Sequence, residues 1–347
     1  MNPVIKILIL STISFAVAIV LTPFWVRFLQ RHKLGKQIRT EGAPIFAMLH
    51  GKKAGTPTMG GVLVWMSVLI VLGIFTFIAA YNPGSKFAEL NFLSRGQTLL
   101  PLGAMIISAI IGLGDDLLGI FHIGPKGGGF RLRHRILLYL FVAMGGAWWF
   151  WDKLEWDTLA VPFMGTFNIG IWYVPLFILI IFATAFSVNE TDGLDGLAGG
   201  VLLIAFAALG AIAYAQDRFQ LAAFCGVIMG ALLAFLWFNI YPAKFFMGDT
   251  GSMGLGVTLG VIAMLTNSGL LLPFIAFIPM LESLSVLLQI ASKRIRGKKL
   301  FLSTPLHHHF EARGWPETQV TMRFWIVGGV AAGLGLILSL LGTRYIF

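Results

Sequence analysis

Phe246-Met247-Gly248-Asp249-Thr250-Gly251-Ser252 is a short polar break between two long apolar runs. One carboxylate stands there among two glycines, a threonine and a serine, at the mouth of segments oily enough to lie in lipid. An ionisable group so close to a bilayer is costly, and its default reading is a functional site. Two further breaks carry acid: Gly114-Asp115-Asp116, and Asn189-Glu190-Thr191-Asp192-Gly193-Leu194-Asp195-Gly196. The fold turns on whether these three islands meet on one side of a membrane.

The chain has 347 residues, 57% hydrophobic and 12% charged, with a mean hydropathy of +0.85. Soluble domains carry about 25% charged residues, so the composition is that of an integral membrane protein. A net charge of +10 does not point to nucleic acid, which would need a basic face on a water-soluble domain. The basic residues lie instead in short loops between apolar runs, where they set topology and attract anionic headgroups or phosphates. Cys225 is the only cysteine and lies in an apolar run, which excludes disulfides and cysteine-built metal sites. Val4 to Phe24 lacks a small-residue cleavage site and reads as a retained first span.

A span takes about 20 mostly apolar residues. Ten runs qualify, at roughly 4–26, 60–80, 99–118, 136–151, 171–188, 197–215, 220–240, 252–268, 269–291 and 321–342. The expected fold is therefore all-α, a single membrane domain over 1–347 with ten transmembrane helices. Of the 25 Lys and Arg, 19 fall in or beside the loops after spans one, three, five, seven and nine. The positive-inside rule places those loops in the cytoplasm and both termini outside. All three acidic islands, Lys52, Lys53 and the histidines at 307–309 fall on that same side, which predicts one cytoplasmic-face site built from several loops.

Asp115 and Asp116 end an apolar run that should be a spanning helix. Neighbouring carboxylates repel unless a cation or proton is shared. With no usable cysteine, the natural cation is Mg²⁺, held by one or two carboxylates plus substrate phosphate. Asp192 and Asp195 are three apart, so a helical turn places them on one face. Capping of the next helix explains one of these acids, not Asn189, Asp192 and Asp195 together. The amides around Asp249 suit a phosphate cradle at a helix start. Phe246 reads either as membrane-facing packing or as a stacking platform for a base. Gly55-Thr56-Pro57-Thr58-Met59-Gly60-Gly61, directly after Lys52-Lys53, is too structured for a linker.

His307-His308-His309-Phe310-Glu311 is the least ordinary stretch. Consecutive helical residues point about 100° apart, so three histidines in a row cannot all ligate one ion, and zinc is disfavoured. They read as donors gathered around phosphate oxygens. Carboxylates for Mg²⁺, cationic donors, glycine-rich breaks and a lipid-facing scaffold together suggest phosphoryl transfer to a membrane-bound acceptor.

These motifs resemble a known family. His50 to Gly61, Asp115-Asp116, Asn189 to Ala198, Trp237-Phe238-Asn239 through Ser252, Pro305 to Glu311 and Gly314-Trp315-Pro316-Glu317 look, in order, like the phospho-N-acetylmuramoyl-pentapeptide transferases. These belong to the polyprenyl-phosphate N-acetylhexosamine-1-phosphate transferases. The resemblance runs from about residue 24 to 325. It implies ten transmembrane helices, a dimer in the bacterial inner membrane, and a Mg²⁺-dependent reaction. UDP-MurNAc-pentapeptide would donate phospho-MurNAc-pentapeptide to undecaprenyl phosphate, giving lipid I and UMP. Carried over by motif, Asp249 would ligate Mg²⁺, and Asp115 would act as base or lipid-phosphate contact with Asp116 supporting it. Lys53, Asn189, Asp192, Asp195, Asn239 and Phe246 would hold the nucleoside end, and His307, His308 and His309 would contact phosphate or sugar.

One region departs from the family pattern. Members carry a Lys three residues after the second Asp and a Lys-x-x-x-Gln later, where this chain has Gly119, then Arg135 and Tyr139. Arg is not a neutral replacement for Lys at a phosphate site. Lys126, Arg131 and Arg135 are the candidate phosphate contacts here. Two other readings are kept: a sister transferase using UDP-GlcNAc, and a secondary transporter. The transporter is disfavoured because the acids cluster at one boundary and the two halves do not repeat.

Overall fold

The computed structural model describes residues 1–35, 51–53, 55–124 and 128–344. Twelve α-helices are found among them, in chain order α1 (Pro3–Arg31), α2 (Gly61–Tyr81), α3 (Leu99–Ile120), α4 (Leu132–Trp148), α5 (Tyr173–Thr191), α6 (Leu197–Ala215), α7 (Phe219–Asn239), α8 (Gly248–Leu265), α9 (Leu272–Ile275), α10 (Phe277–Arg296), α11 (Leu306–Ala312) and α12 (Glu317–Arg344). Eight are long and apolar enough to cross a bilayer, or nine if α9 and α10 count as one bent span. This is an integral membrane protein. The predicted fourth span appears as α4, 17 residues long, and a wide turn over Trp149–Lys153 continues it.

The central helix is α8, with 94% of its most apolar 18-residue window buried, against 22% for α1. Its small residues let neighbouring backbones approach, the usual basis of close packing in lipid. A Cβ on Gly61 of α2 would meet Gly251, and one on Gly112 of α3 would meet the Asp249 backbone. Helices α2, α3 and α5 pack around α8, while α1 packs on α7.

Two features differ from the sequence expectation. The run at 269–291 is not one straight span: α9 and α10 meet at a 90° bend. Ala276 there has φ −113° and ψ 41°, outside the helical range. Pro279, three residues on, has no amide hydrogen to close a helical bond back to Ile275, so a straight helix is already weakened at that point. The second difference is an antiparallel hairpin, β1 (Thr158–Val161) paired with β2 (Gly165–Asn168). Strands of four residues are too short to register in a hydropathy window. Asn267, past the end of α8, holds the hairpin by accepting from Ala160 N–H at 3.0 Å and donating to Thr158 O at 3.3 Å.

Candidate active site

The glycine-rich run is a backbone splice. Phe246 N–H donates to Pro57 O at 2.8 Å, while Gly60 and Gly61 N–H donate back to Phe246 and Met247 O, both at 2.8 Å. Thr58 N–H donates to Leu34 O at 3.1 Å. These bonds fix the start of α2 against the entry to α8. They also hold Lys53 beside Phe246, with its Nζ 5.8 Å from the ring centroid.

Lys53 Nζ lies 2.7 Å from Asp195 Oδ1 and pairs as well with Glu317, the first residue of α12. Asp195 Oδ2 accepts from Ala243 N–H at 3.0 Å, and its own N–H donates to Glu317 Oε1 at 2.7 Å. Asn239 is buried, accepting from Gly196 N–H at 3.0 Å and donating to Phe245 O at 2.8 Å. Both ends of its amide therefore brace backbone.

Asp192 takes a different direction. Its Oδ2 accepts from Gly248 N–H at 3.0 Å. Asp116, at the end of α3, accepts from Asp249 N–H at 3.1 Å and Thr250 N–H at 3.0 Å through its two oxygens. The first amides of α8, expected to cradle a phosphate, are thus taken by two carboxylates of the protein itself. The expectation that Asp192 and Asp195 share a helical face also fails. The segment between α5 and α6 turns sharply, with Gly196 at φ +76°, and aims the two acids at different elements.

The reactive-looking cluster is what remains. Asp249 Oδ2 lies 2.9 Å from Arg135 Nη2, and the same nitrogen pairs with Asp115. Asn189 Nδ2 donates to Asp249 Oδ1 at 2.5 Å and to Ser252 Oγ at 3.0 Å. Asp115 is buried, and its other oxygen accepts from Phe130 N–H at 2.5 Å. Two carboxylates from α3 and α8 therefore converge on one cationic nitrogen from α4. That arrangement suits a hard divalent ion, because both groups present oxygen and already share a positive charge. Among the described residues no group of three or more His, Cys, Asp or Glu is arranged to hold an ion alone. A pair of carboxylates could serve as the protein's share of a Mg²⁺ shell, which takes one or two carboxylates with water and substrate phosphate. Arg131 is exposed at the cap of α4, where its carbonyl accepts from Arg135 N–H at 3.1 Å. Lys126 lies outside the described residues.

The three histidines split. His307 is fully buried; its N–H donates to Glu282 Oε2 at 3.3 Å, and its Nδ1 lies 3.1 Å from Glu282 Oε1. Burial alone would lower the His307 pKa, but the Glu282 carboxylate, with Glu311 and Glu190 adding to it, raises the value. A Cβ at Gly193 would fall on the His307 ring, so only glycine permits this packing. His308 Nδ1 lies 2.8 Å from Glu311 Oε2. His309 is partly exposed, its pKa lowered by burial and then by Arg313, and its Nδ1 accepts from Leu302 N–H at 3.2 Å. An accepting Nδ1 leaves the proton on Nε2, as a donor. Sequence reading missed Glu282; an acid inside the apolar run 269–291 was the available signal.

A polytopic membrane protein whose helix ends gather carboxylates, an arginine and a clamped lysine is built for handling charged groups at a membrane boundary. The Glycosyl transferase family 4 model matches residues 98–267, spanning the Asp115 to Asp249 cluster. The phospho-N-acetylmuramoyl-pentapeptide-transferase signature 1 matches residues 53–63, the spliced run. The transferase of that name from Chloroflexus aurantiacus is 39% identical, over 97% of this chain and 90% of its own length. Those of Clostridium novyi and a Geobacillus strain are each 36% identical, over 94% and 95% of this chain. The chain belongs to the phospho-N-acetylmuramoyl-pentapeptide-transferase family and is a transferase.

Proposed function

We propose that the protein transfers phospho-MurNAc-pentapeptide from UDP-MurNAc-pentapeptide to undecaprenyl phosphate, forming lipid I and UMP in peptidoglycan synthesis. The observation carrying this reading is the convergence of Asp115, Arg135, Asn189 and Asp249 at the ends of four helices. In this reading the protein lies in the bacterial inner membrane as a homodimer of ten-span subunits, termini outside and site at the cytoplasmic face. The one-sided distribution of Lys and Arg supports that orientation.

Lys53 and Phe246 would hold the nucleoside end, the ring of Phe246 against uracil and the ammonium near the ribose or first phosphate. Asp195 and Glu317 keep the lysine in place. Asp249, with Asp115 beside it, would hold Mg²⁺, which when bound neutralises charge on the pyrophosphate. A phosphate monoester has a second pKa of about 6, so the lipid phosphate is already largely a dianion at neutral pH. No strong base is required, and Asp115 orients the acceptor for direct attack. His309, which carries its proton on Nε2, and Arg135 supply donors to phosphate oxygens.

The test is UMP release from donor plus lipid phosphate, with and without Mg²⁺, in wild type and Asp249→Ala. Release only with wild type, Mg²⁺ and UDP-MurNAc-pentapeptide supports the reading. Equal turnover of UDP-GlcNAc overturns the donor assignment, and an aspartyl phosphate formed with donor alone overturns direct attack.

A further inference from the structure

At the far end of α6 and α8 from the carboxylates lies a cavity of about 460 Å³. At 1.5 Å per residue, the 18 residues of α8 put about 27 Å between the two places. Its lining includes Trp156, Thr166, Arg218, Asn267, Leu271 and Leu338. The volume falls within the roughly 300–1,000 Å³ of ordinary ligand sites, too large for a bare inorganic anion.

The walls are preformed. Asn267 pins the β1–β2 hairpin to the end of α8. Gln216 Nε2 donates to Thr266 O at 2.8 Å, tying the end of α6 to that of α8. The charged element is Arg218, whose guanidinium stands 5.1 Å above the Trp156 ring. Trp156 is itself stacked on buried Phe150, with centroids 5.3 Å apart and planes 7° apart. The arginine thus rests over an aromatic pile. It is half-buried, and among the described residues no carboxylate lies within ion-pair distance of it. Burial lowers its pKa; Asp217, next to it in the chain and also on the cavity lining, is exposed and lies outside ion-pair distance of it.

A half-buried guanidinium with no carboxylate in ion-pair range among the described residues favours an anionic partner, and its planar fork matches phosphate oxygens. Arg218 also occupies the cap position of α7, where no side chain caps the helix. The positive pole of that helix therefore adds to the preference for an anion. The surroundings say where the anion comes from. Phe163, Met164 and Phe167 of the hairpin, together with Ile171 and Trp172, are exposed, the pattern of an aromatic belt at headgroup level. Leu271 and Leu338 offer an apolar wall beside the arginine.

We propose that this cavity binds the phosphodiester headgroup of an anionic phospholipid, with Arg218 contacting the phosphate and the apolar wall receiving the start of the acyl chains. The site is separate from the catalytic cluster, and the proposal does not depend on the reaction assigned above.

The test uses labelling. Cys225 is the only cysteine and is buried, so Thr166→Cys, at an exposed position on the cavity rim, creates a single accessible thiol. In delipidated full-length protein, phosphatidylglycerol in mixed micelles should slow maleimide labelling of that thiol, whereas inorganic phosphate and diacylglycerol should not. Adding Arg218→Gln should weaken the protection about tenfold or more, as expected for losing a hydrogen-bonded charge, and Arg218→Lys should weaken it less. Labelling that phosphatidylglycerol leaves unchanged overturns the proposal, as does equal protection in Arg218→Gln. Protection by inorganic phosphate alone assigns the site to a free anion and overturns the lipid. Because Thr166→Cys retains Arg218, the occupancy test stands even if the arginine variants misfold.

Discussion

Arg135 Nη2 lies 2.9 Å from Asp249 Oδ2 and pairs through the same nitrogen with Asp115, so one guanidinium on α4 neutralises carboxylates from α3 and α8. The structure gives this arginine two partners at once. Arg135→Lys should keep measurable UMP release, since an ammonium reaches one carboxylate but lacks the planar fork for both. Arg135→Ala should lower kcat about 10²-fold or more. Wild-type turnover in Arg135→Ala would show that this contact is not part of the reacting site.

Asp116 has a different task from its neighbour. Its two oxygens accept from the amides of Asp249 and Thr250, so it docks α3 on the start of α8. Asp116→Asn keeps one acceptor and turns an NH₂ toward the second amide. The loss should be about 1–3 kcal/mol, seen as a lower thermal midpoint in detergent. An unchanged midpoint with lost activity would instead place Asp116 on the substrate.

Gly193 and His307 touch so closely that no side chain fits between them. Gly193→Ala should displace the His307 ring and α11 with it, at about 1–3 kcal/mol for overpacking. UMP release and the thermal midpoint should fall together. A fully active, stable Gly193→Ala would contradict this packing.

His307 should also make stability depend on pH. Glu282 raises its pKa in the fold despite burial, with Glu311 and Glu190 adding to the effect. The unfolded value is about 6.5. A raised folded pKa means that the contribution is complete below about pH 6.5 and disappears as pH rises through the folded value. The gap in thermal midpoint between wild type and His307→Gln should therefore be widest near pH 6 and narrow on the alkaline side. A gap that widens with rising pH has the wrong sign for this pairing.

Lys53 should act on nucleotide affinity. Lys53→Ala leaves Asp195 and Glu317 facing each other without their shared cation. The expected result is a KM for the donor raised about tenfold or more, with kcat less affected. An unchanged KM would separate Lys53 from the nucleotide.

The polar islands were legible because each interrupts an apolar run, and a charge at a bilayer boundary stands out against its neighbours. Arg135 was picked out only as a departure from a pattern, and its double pairing was invisible. Glu282 was passed over inside a run that otherwise reads as an ordinary span. The pairing of Pro57–Gly61 with Phe246–Met247 links segments almost 190 residues apart, and no local spacing encodes such a contact. The bend at Ala276 was missed because hydropathy reports apolarity and says nothing of backbone angles.

The amino-acid sequence by itself determined the solvent in which this protein folds, the family to which it belongs and the gathering of its acids near helix ends. Those follow from transfer free energies and residue types, which are local properties. Only the tertiary structure decided which acid does what: Asp116 and Asp192 receive amides, while Asp115 and Asp249 share a cation. That division depends on how far each helix approaches α8 and how it is rotated there. Both are set by which small residues meet across the contact, and that is a property of pairs rather than of any one segment.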